Sequence, residues 1–120
     1  MFGSNKKQLA KSNMTMNNFL KEIKIAANKR ILYLPHAIRQ MSRPDRMISP
    51  EEVRNVIEQG EIIEDYPNDQ RGHSCLMFRY SIGDRLLHVV CAPKGDYLAI
   101  ITTYIPSMEE WENYKKRKKT

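Results

Sequence analysis

The side chains with catalytic potential in this chain are three histidines, His36, His73 and His88, set among scattered arginines, tyrosines and threonines. The histidines lie too far apart in sequence to read as a zinc site. A Gly-rich phosphate loop, a nucleophile elbow and paired carboxylates at useful spacing are all missing, so no metal and no cofactor is expected. One reaction suits the groups that remain: cleavage of RNA through its own 2′-hydroxyl. It needs a base for the 2′ proton and an acid for the leaving 5′ oxygen. It also needs cations for the charge that builds on phosphate. Histidine, titrating ordinarily near about pH 6.5, can fill either proton role.

The elements that must position these groups are legible in outline. Residues 14–29 predict an amphipathic helix, with Met16, Phe19, Leu20, Ile23 and Ala27 at helical spacing. Ile31 to Leu34 are a short β-prone run stopped by Pro35, and His36 to Met41 can form a helical turn or more. Ser42 to Met47, with Pro44, read as a loop. Ser49-Pro50-Glu51-Glu52 is a capping box with proline at the first helical position, and Gly60 stands where that helix should end. Four strands are expected over Glu61–Tyr66, Ser74–Ile82, Arg85–Ala92 and Tyr97–Ile105. The last three are joined by gaps short enough for hairpins. A second capping box, Ser107-Met108-Glu109-Glu110, predicts a C-terminal helix, with Trp111 and Tyr114 packing on the sheet.

Placed on these elements, His36 starts a helix beside a basic loop carrying Arg39, Arg43 and Arg46. His88 falls mid-strand. Alternation puts Leu86, His88 and Val90 on one face and Arg85, Leu87, Val89 and Cys91 on the other. A lone histidine among aliphatic residues is more often structural than catalytic. The same rule groups Leu98, Ile100, Thr102 and Tyr104 opposite Tyr97, Ala99, Ile101 and Thr103. Tyr104, at the strand end, either projects into a site or closes the core edge. Arg79 and Tyr80 point to opposite faces, so at most one of them faces a given site.

The chain's 120 residues are one domain's worth, enough to bury a core without staples. Residues 1–13 read as a flexible, lysine-rich segment, 14–114 as a single α+β domain, and 115–120 as a basic tail that should fray. Cys75 and Cys91 fall on strands and read as buried free thiols rather than a disulfide framework. No apolar run approaches the ~20 residues of a membrane span, and no apolar stretch follows the N-terminal lysines as in a signal peptide. No membrane partner and a cytoplasmic location are therefore expected. The net charge is +6, unevenly spread: residues 1–48 hold ten Lys/Arg against two acids, residues 49–69 one Arg against seven. A basic face of that kind can attract the phosphates of RNA. The acidic helix can dock a basic partner or simply be solvated.

Several pieces of the chain resemble a bacterial family of domains of unknown function, family 4258, similar in layout to the RelE, ParE and BrnT toxins. They are His36-Ala37, Met41, Arg46-Met47-Ile48-Ser49, Gln59-Gly60-Glu61, Tyr66-Pro67, Ser74, Leu87-His88-Val89-Val90 and Ile101-Thr102-Thr103-Tyr104-Ile105-Pro106. Together they span roughly residues 32–106. Where the family usually has arginine before Met41, this chain has Gln40, with Arg39 one residue earlier; the loop to Arg46 is also longer. The resemblance implies N-terminal helices packed on a three- to four-stranded, mainly antiparallel sheet with a C-terminal helix, a RelE/barnase-like toxin layout. It implies that His36, Arg46, His88 and Tyr104 line one site, with Arg39, Arg43, Arg79 and Thr103 as candidate RNA contacts. The resulting expectation is a metal-independent endoribonuclease of a toxin–antitoxin system, with RNA and a cognate antitoxin as partners. The rival is a non-catalytic nucleic-acid- or protein-binding module of the same fold.

Overall fold

The computed structural model describes residues 2–80 and 82–118, with side chains described from Thr15 onward. The expected flexible segment, residues 1–13, lies outside the residues whose side chains are described. Helix α1 (Phe2–Lys29) leads into strand β1 (Ile31–Tyr33), then helices α2 (Pro35–Met41) and α3 (Pro50–Gln59). Strands β2 (Glu61–Tyr66), β3 (Ser74–Tyr80), β4 (Leu86–Pro93) and β5 (Leu98–Tyr104) follow, and a small hairpin, β6 (Trp111–Glu112) and β7 (Lys116–Arg117), completes the element order. No helix among the described residues is long and apolar enough to cross a membrane.

The main sheet has five strands in the order β1-β5-β4-β3-β2. Strands β3 to β5 form the expected antiparallel meander, and β2 extends it by pairing antiparallel with β3. The sheet is larger than the three to four antiparallel strands expected, because β1 adds to β5 in parallel, Ile31 opposite Leu98 and Tyr33 opposite Ile100. The β-prone run at Ile31 to Leu34 is legible, but its partner is not, because a parallel strand far along the chain is not a local property. The helices are accordingly not one N-terminal block, since β1 separates α1 from α2.

One face of the sheet carries the core. Phe19, Ile23, Ala26 and Ala27 of α1 recur at helical spacing and meet Val53, Val56 and Ile57 of α3 over Cys75, Met77, Leu87, Val89, Cys91, Leu98 and Ile100. Helix α3 starts as its sequence requires: the Glu52 amide donates to Ser49 Oγ and the Ser49 amide donates back to Glu52 Oε1, each at 3.1 Å. It ends at Gly60, where a Cβ would lie 2.8 Å from the Phe78 carbonyl oxygen, so only glycine lets the chain pass between α3 and β3. Cys75 and Cys91 stand directly opposite one another across β3 and β4, both buried and free.

The C-terminal helix is not formed. Ser107 to Trp111 make one turn, with the Glu110 and Trp111 amides donating to the Ser107 carbonyl. The chain then reverses through Asn113 and Tyr114, both left-handed at φ 50° and 64°, into the β6–β7 hairpin. Tertiary packing outweighs the local capping signal here. Continuing the helix would carry Trp111 off the second face of the sheet, where it now sits 2% exposed against His88. Residues 115–118, read as a frayed tail, instead fold back onto the acidic segment: Lys115 pairs with Glu61 at 2.6 Å and Arg117 with Glu64 at 3.0 Å. Two of the acids that gave residues 49–69 their charge are therefore met by the chain's own last bases.

Candidate functional site

The site begins where β1 stops. The Leu34 amide donates to the Ile100 carbonyl at 3.0 Å. Pro35 then has no N–H to continue the ladder and opens α2 instead. Helix α2 therefore lies beside the second half of β5, in the place a longer β1 would occupy. Along this edge runs a cavity of about 440 Å³. His36 and Gln40, one helical turn apart on α2, form one wall, with Arg46 from the following loop. Thr102 and Tyr104 of β5 form another. Ser107, Glu110 and Trp111, from the turn after β5, close the end.

Tyr104 reaches this cavity because β5 is bulged. Cys91 pairs with Ile100 but Val90 pairs with Thr102, which leaves Ile101 as an extra residue on β5. One extra residue inverts every side chain beyond it. Thr102 and Tyr104 leave the core face of Leu98 and Ile100 and join the face of Val90 and His88. Thr103 moves the other way. It is fully buried, and its hydroxyl donates to the His88 carbonyl at 2.8 Å. Uninterrupted alternation predicts the reverse, so Thr103 as an RNA contact is corrected: the threonine in the cavity is Thr102.

The Arg46 guanidinium is held by a bond from Nη1 to Gln40 Oε1 at 2.9 Å. Gln40 occupies the position where the sequence pattern carries arginine, and its amide oxygen orients Arg46 without neutralising it. Among the described residues no carboxylate pairs with Arg46 and none hydrogen-bonds the His36 ring. The Arg46 loop is itself clamped. Arg85, just before β4, donates to the Arg46 and Met47 carbonyls and forms a two-pronged pair with buried Glu52, at 3.0 and 2.9 Å. The clamp holds Met47 at φ 48°, a strained conformation for a residue with a side chain.

His88 does not line the cavity. It is fully buried behind Tyr104 and Trp111, with ring centroids 5.2 and 4.5 Å away and Phe78 edge-on at 5.7 Å. Two histidines facing each other across an open cleft is therefore corrected to one exposed histidine, His36, and one buried, His88. The physical reason is that Trp111, not solvent, covers the second face of β4. His88 Nε2 lies 2.5 Å from the Tyr114 carbonyl oxygen, which can only accept, so Nε2 carries the hydrogen. Burial holds the imidazole pKa below its ordinary value, against the Tyr114 carbonyl and Glu64, so the ring is neutral. Nδ1 then has a lone pair, and the Tyr104 hydroxyl donates to it at 3.2 Å. Burial likewise raises the Tyr104 pKa, and the phenol stays protonated.

The other candidates lie elsewhere. Arg39 is exposed outside the cavity, Arg43 is paired with Asp45 at 3.0 Å, and Arg79 donates to the Gln59 carbonyl beside a different cavity. His73 stacks on Phe19 and contacts Asp65. Sequence reasoning missed Gln40, Thr102, Ser107 and Glu110. Only Gln40 left a trace, as the one-residue departure from the expected arginine.

The profile of a family described as a domain of unknown function, DUF4258, matches residues 33–105. The chain belongs to that family. The matched segment runs from the end of β1 past the end of β5, so it includes every cavity residue except those of the following turn. No curated protein and no solved structure matches the chain.

Proposed function

We propose that this member of the DUF4258 family is an endoribonuclease of the toxin type that cleaves RNA by attack of its own 2′-hydroxyl. One observation carries the reading: His36, Arg46 and Tyr104 converge on a single open cavity in which, among the described residues, the arginine has no acid partner. An unneutralised guanidinium in a recess suits the non-bridging oxygens of a phosphodiester. His36, whose ring has no hydrogen-bond partner among the described residues, is free to exchange a proton with the sugar oxygens. Thr102 and Ser107 add hydroxyls that can meet phosphate or ribose. A toxin of that kind would have RNA as substrate and an antitoxin as partner.

The test is incubation of the purified protein with a labelled single-stranded RNA and with the DNA of the same sequence. Cleavage of the RNA to 2′,3′-cyclic phosphate ends, with the DNA intact, is the expected result. His36→Ala and Arg46→Ala should each reduce the rate by about 10²-fold or more, the usual size of an acid–base or electrostatic contribution. Equal cutting of DNA, or full activity in folded His36→Ala, would remove the assignment. Induced expression should arrest growth with the wild type and not with His36→Ala.

A further inference from the structure

Cleavage through the 2′-hydroxyl needs two proton transfers, and the cavity presents one histidine. Buried His88 is unused by the proposal so far, yet it is wired to the cavity. Its Nε2–H is held by the Tyr114 carbonyl, which leaves Nδ1 as an acceptor aimed at Tyr104. The single hydroxyl hydrogen of Tyr104 is thereby committed to His88, which leaves its oxygen as an acceptor, and Tyr104 is itself a residue of the cavity wall. We infer, building on the ribonuclease reading, that Tyr104 takes the 2′-hydroxyl proton and that His88 is the positioning residue receiving Tyr104's own.

The step balances. The 2′ oxygen forms a bond to phosphorus as its proton passes to Tyr104 Oη and the Tyr104 proton passes to His88 Nδ1. The bond from phosphorus to the 5′ oxygen breaks, and His36, protonated at the outset, gives that oxygen its proton. The products are a 2′,3′-cyclic phosphate and a free 5′-hydroxyl. His36 ends neutral and His88 ends protonated, donating from Nε2 to Tyr114 and from Nδ1 to Tyr104. Glu64 favours this charged form electrostatically, whereas burial and Arg117 oppose it. Among the aromatic neighbours, Phe78 and Trp111 carry no titrating group. Near Tyr104 the charged groups are Arg117, Glu64 and Glu110. A histidine that merely fills the core would also need a donor for Nδ1; here that donor, Tyr104, is at the same time a residue of the cavity wall.

The experiment compares the wild type with Tyr104→Phe, His88→Asn, His88→Gln and His36→Ala. The asparagine can still accept from Tyr104 but cannot take a proton; the glutamine can still donate to Tyr114. Both His88 variants should lose about 10²- to 10⁴-fold in kcat on RNA, as Tyr104→Phe should, with KM little changed. A ribonucleoside 3′-(4-nitrophenyl phosphate) has a leaving group that needs no proton. On that probe His36→Ala should recover most of its rate, whereas the Tyr104 and His88 variants should not. Full activity of His88→Asn on both substrates would overturn the relay while leaving the ribonuclease reading intact. Should a His88 variant fail to fold, Tyr104→Phe decides, since it deletes one oxygen; recovery of its rate on the nitrophenyl probe would also overturn the relay. Nitrogen NMR of the wild type should find His88 neutral with its proton on Nε2, and a proton on Nδ1 would overturn it. A wild type that cleaves no RNA removes both readings, whatever the NMR result.

Discussion

Replacing Arg85 by methionine should both destabilise the domain and loosen the site. Arg85 is 30% exposed in its side chain and its partner Glu52 only 7%. The guanidinium makes two bonds to the Glu52 carboxylate and one each to the Arg46 and Met47 carbonyls. Methionine keeps much of the stem's packing and removes all four. Deleting one partner of a buried ion pair costs about 3–5 kcal/mol. Arg85 is partly wetted, so water can reach the abandoned carboxylate and the loss should be nearer 2–3 kcal/mol, on the scale of a charged hydrogen bond or two. Met47, in a strained conformation of about 1–2 kcal/mol, also loses its clamp and is free to relax. For a domain of this size the loss corresponds to a fall in Tm of about 10 °C. The assay is thermal unfolding of the wild type, Arg85→Met, Glu52→Gln and the double variant. The double variant should be more stable than the sum of the singles implies, by about 1 kcal/mol or more, since each single deletes one half of the same Arg85–Glu52 pair. Additive losses, or a midpoint for Arg85→Met within about 2 °C of the wild type on the same scale, would refute the clamp. On the ribonuclease reading proposed above, activity on RNA should fall in parallel, because the loop that presents Arg46 is no longer fixed.

Gly60→Ala should cost about 1–3 kcal/mol in urea unfolding, because the added methyl meets the Val56 and Phe78 carbonyl oxygens; an unchanged midpoint would show that α3 and β3 can part there freely. Stability should fall as pH drops below about 6.5, at up to about 1.4 kcal/mol per pH unit from His88 alone. The sign follows from burial: the folded pKa of His88 is lowered, so the unfolded chain binds the proton first and acid favours unfolding. That slope should vanish in His88→Asn, and its persistence there would assign it to other groups. Trp111→Ala should cost about 3–5 kcal/mol by emptying the second face of the sheet. Trp111 is the chain's single tryptophan, so native emission should be blue-shifted and move red on unfolding; native emission like that of free indole would contradict its burial.

Local signals were enough for much of the scaffold. The Ser49 capping box, Pro50 and Gly60 mark α3 because caps satisfy orphan backbone groups within a few residues, whatever lies around them. Turn residues at Pro67-Asn68-Asp69 and Pro93-Lys94-Gly95-Asp96 likewise punctuate the meander, since hairpin geometry is set by the turn itself. The same kind of signal misled at Ser107. Its capping box is as good as the first, but the burial of Trp111 outweighs one turn of helix, and burial depends on what lies across the sheet. The site was legible only as a set of residue types. The bulge at Ile101 decided which residues of β5 enter the cavity, and it has no glycine or other residue to announce it. Because side chains alternate with a period of two, that single insertion exchanged Thr103 for Thr102 and turned Tyr104 toward His88. Whether His88 meets solvent was decided by the hairpin folding over it, a contact between residues 26 positions apart that no local pattern contains.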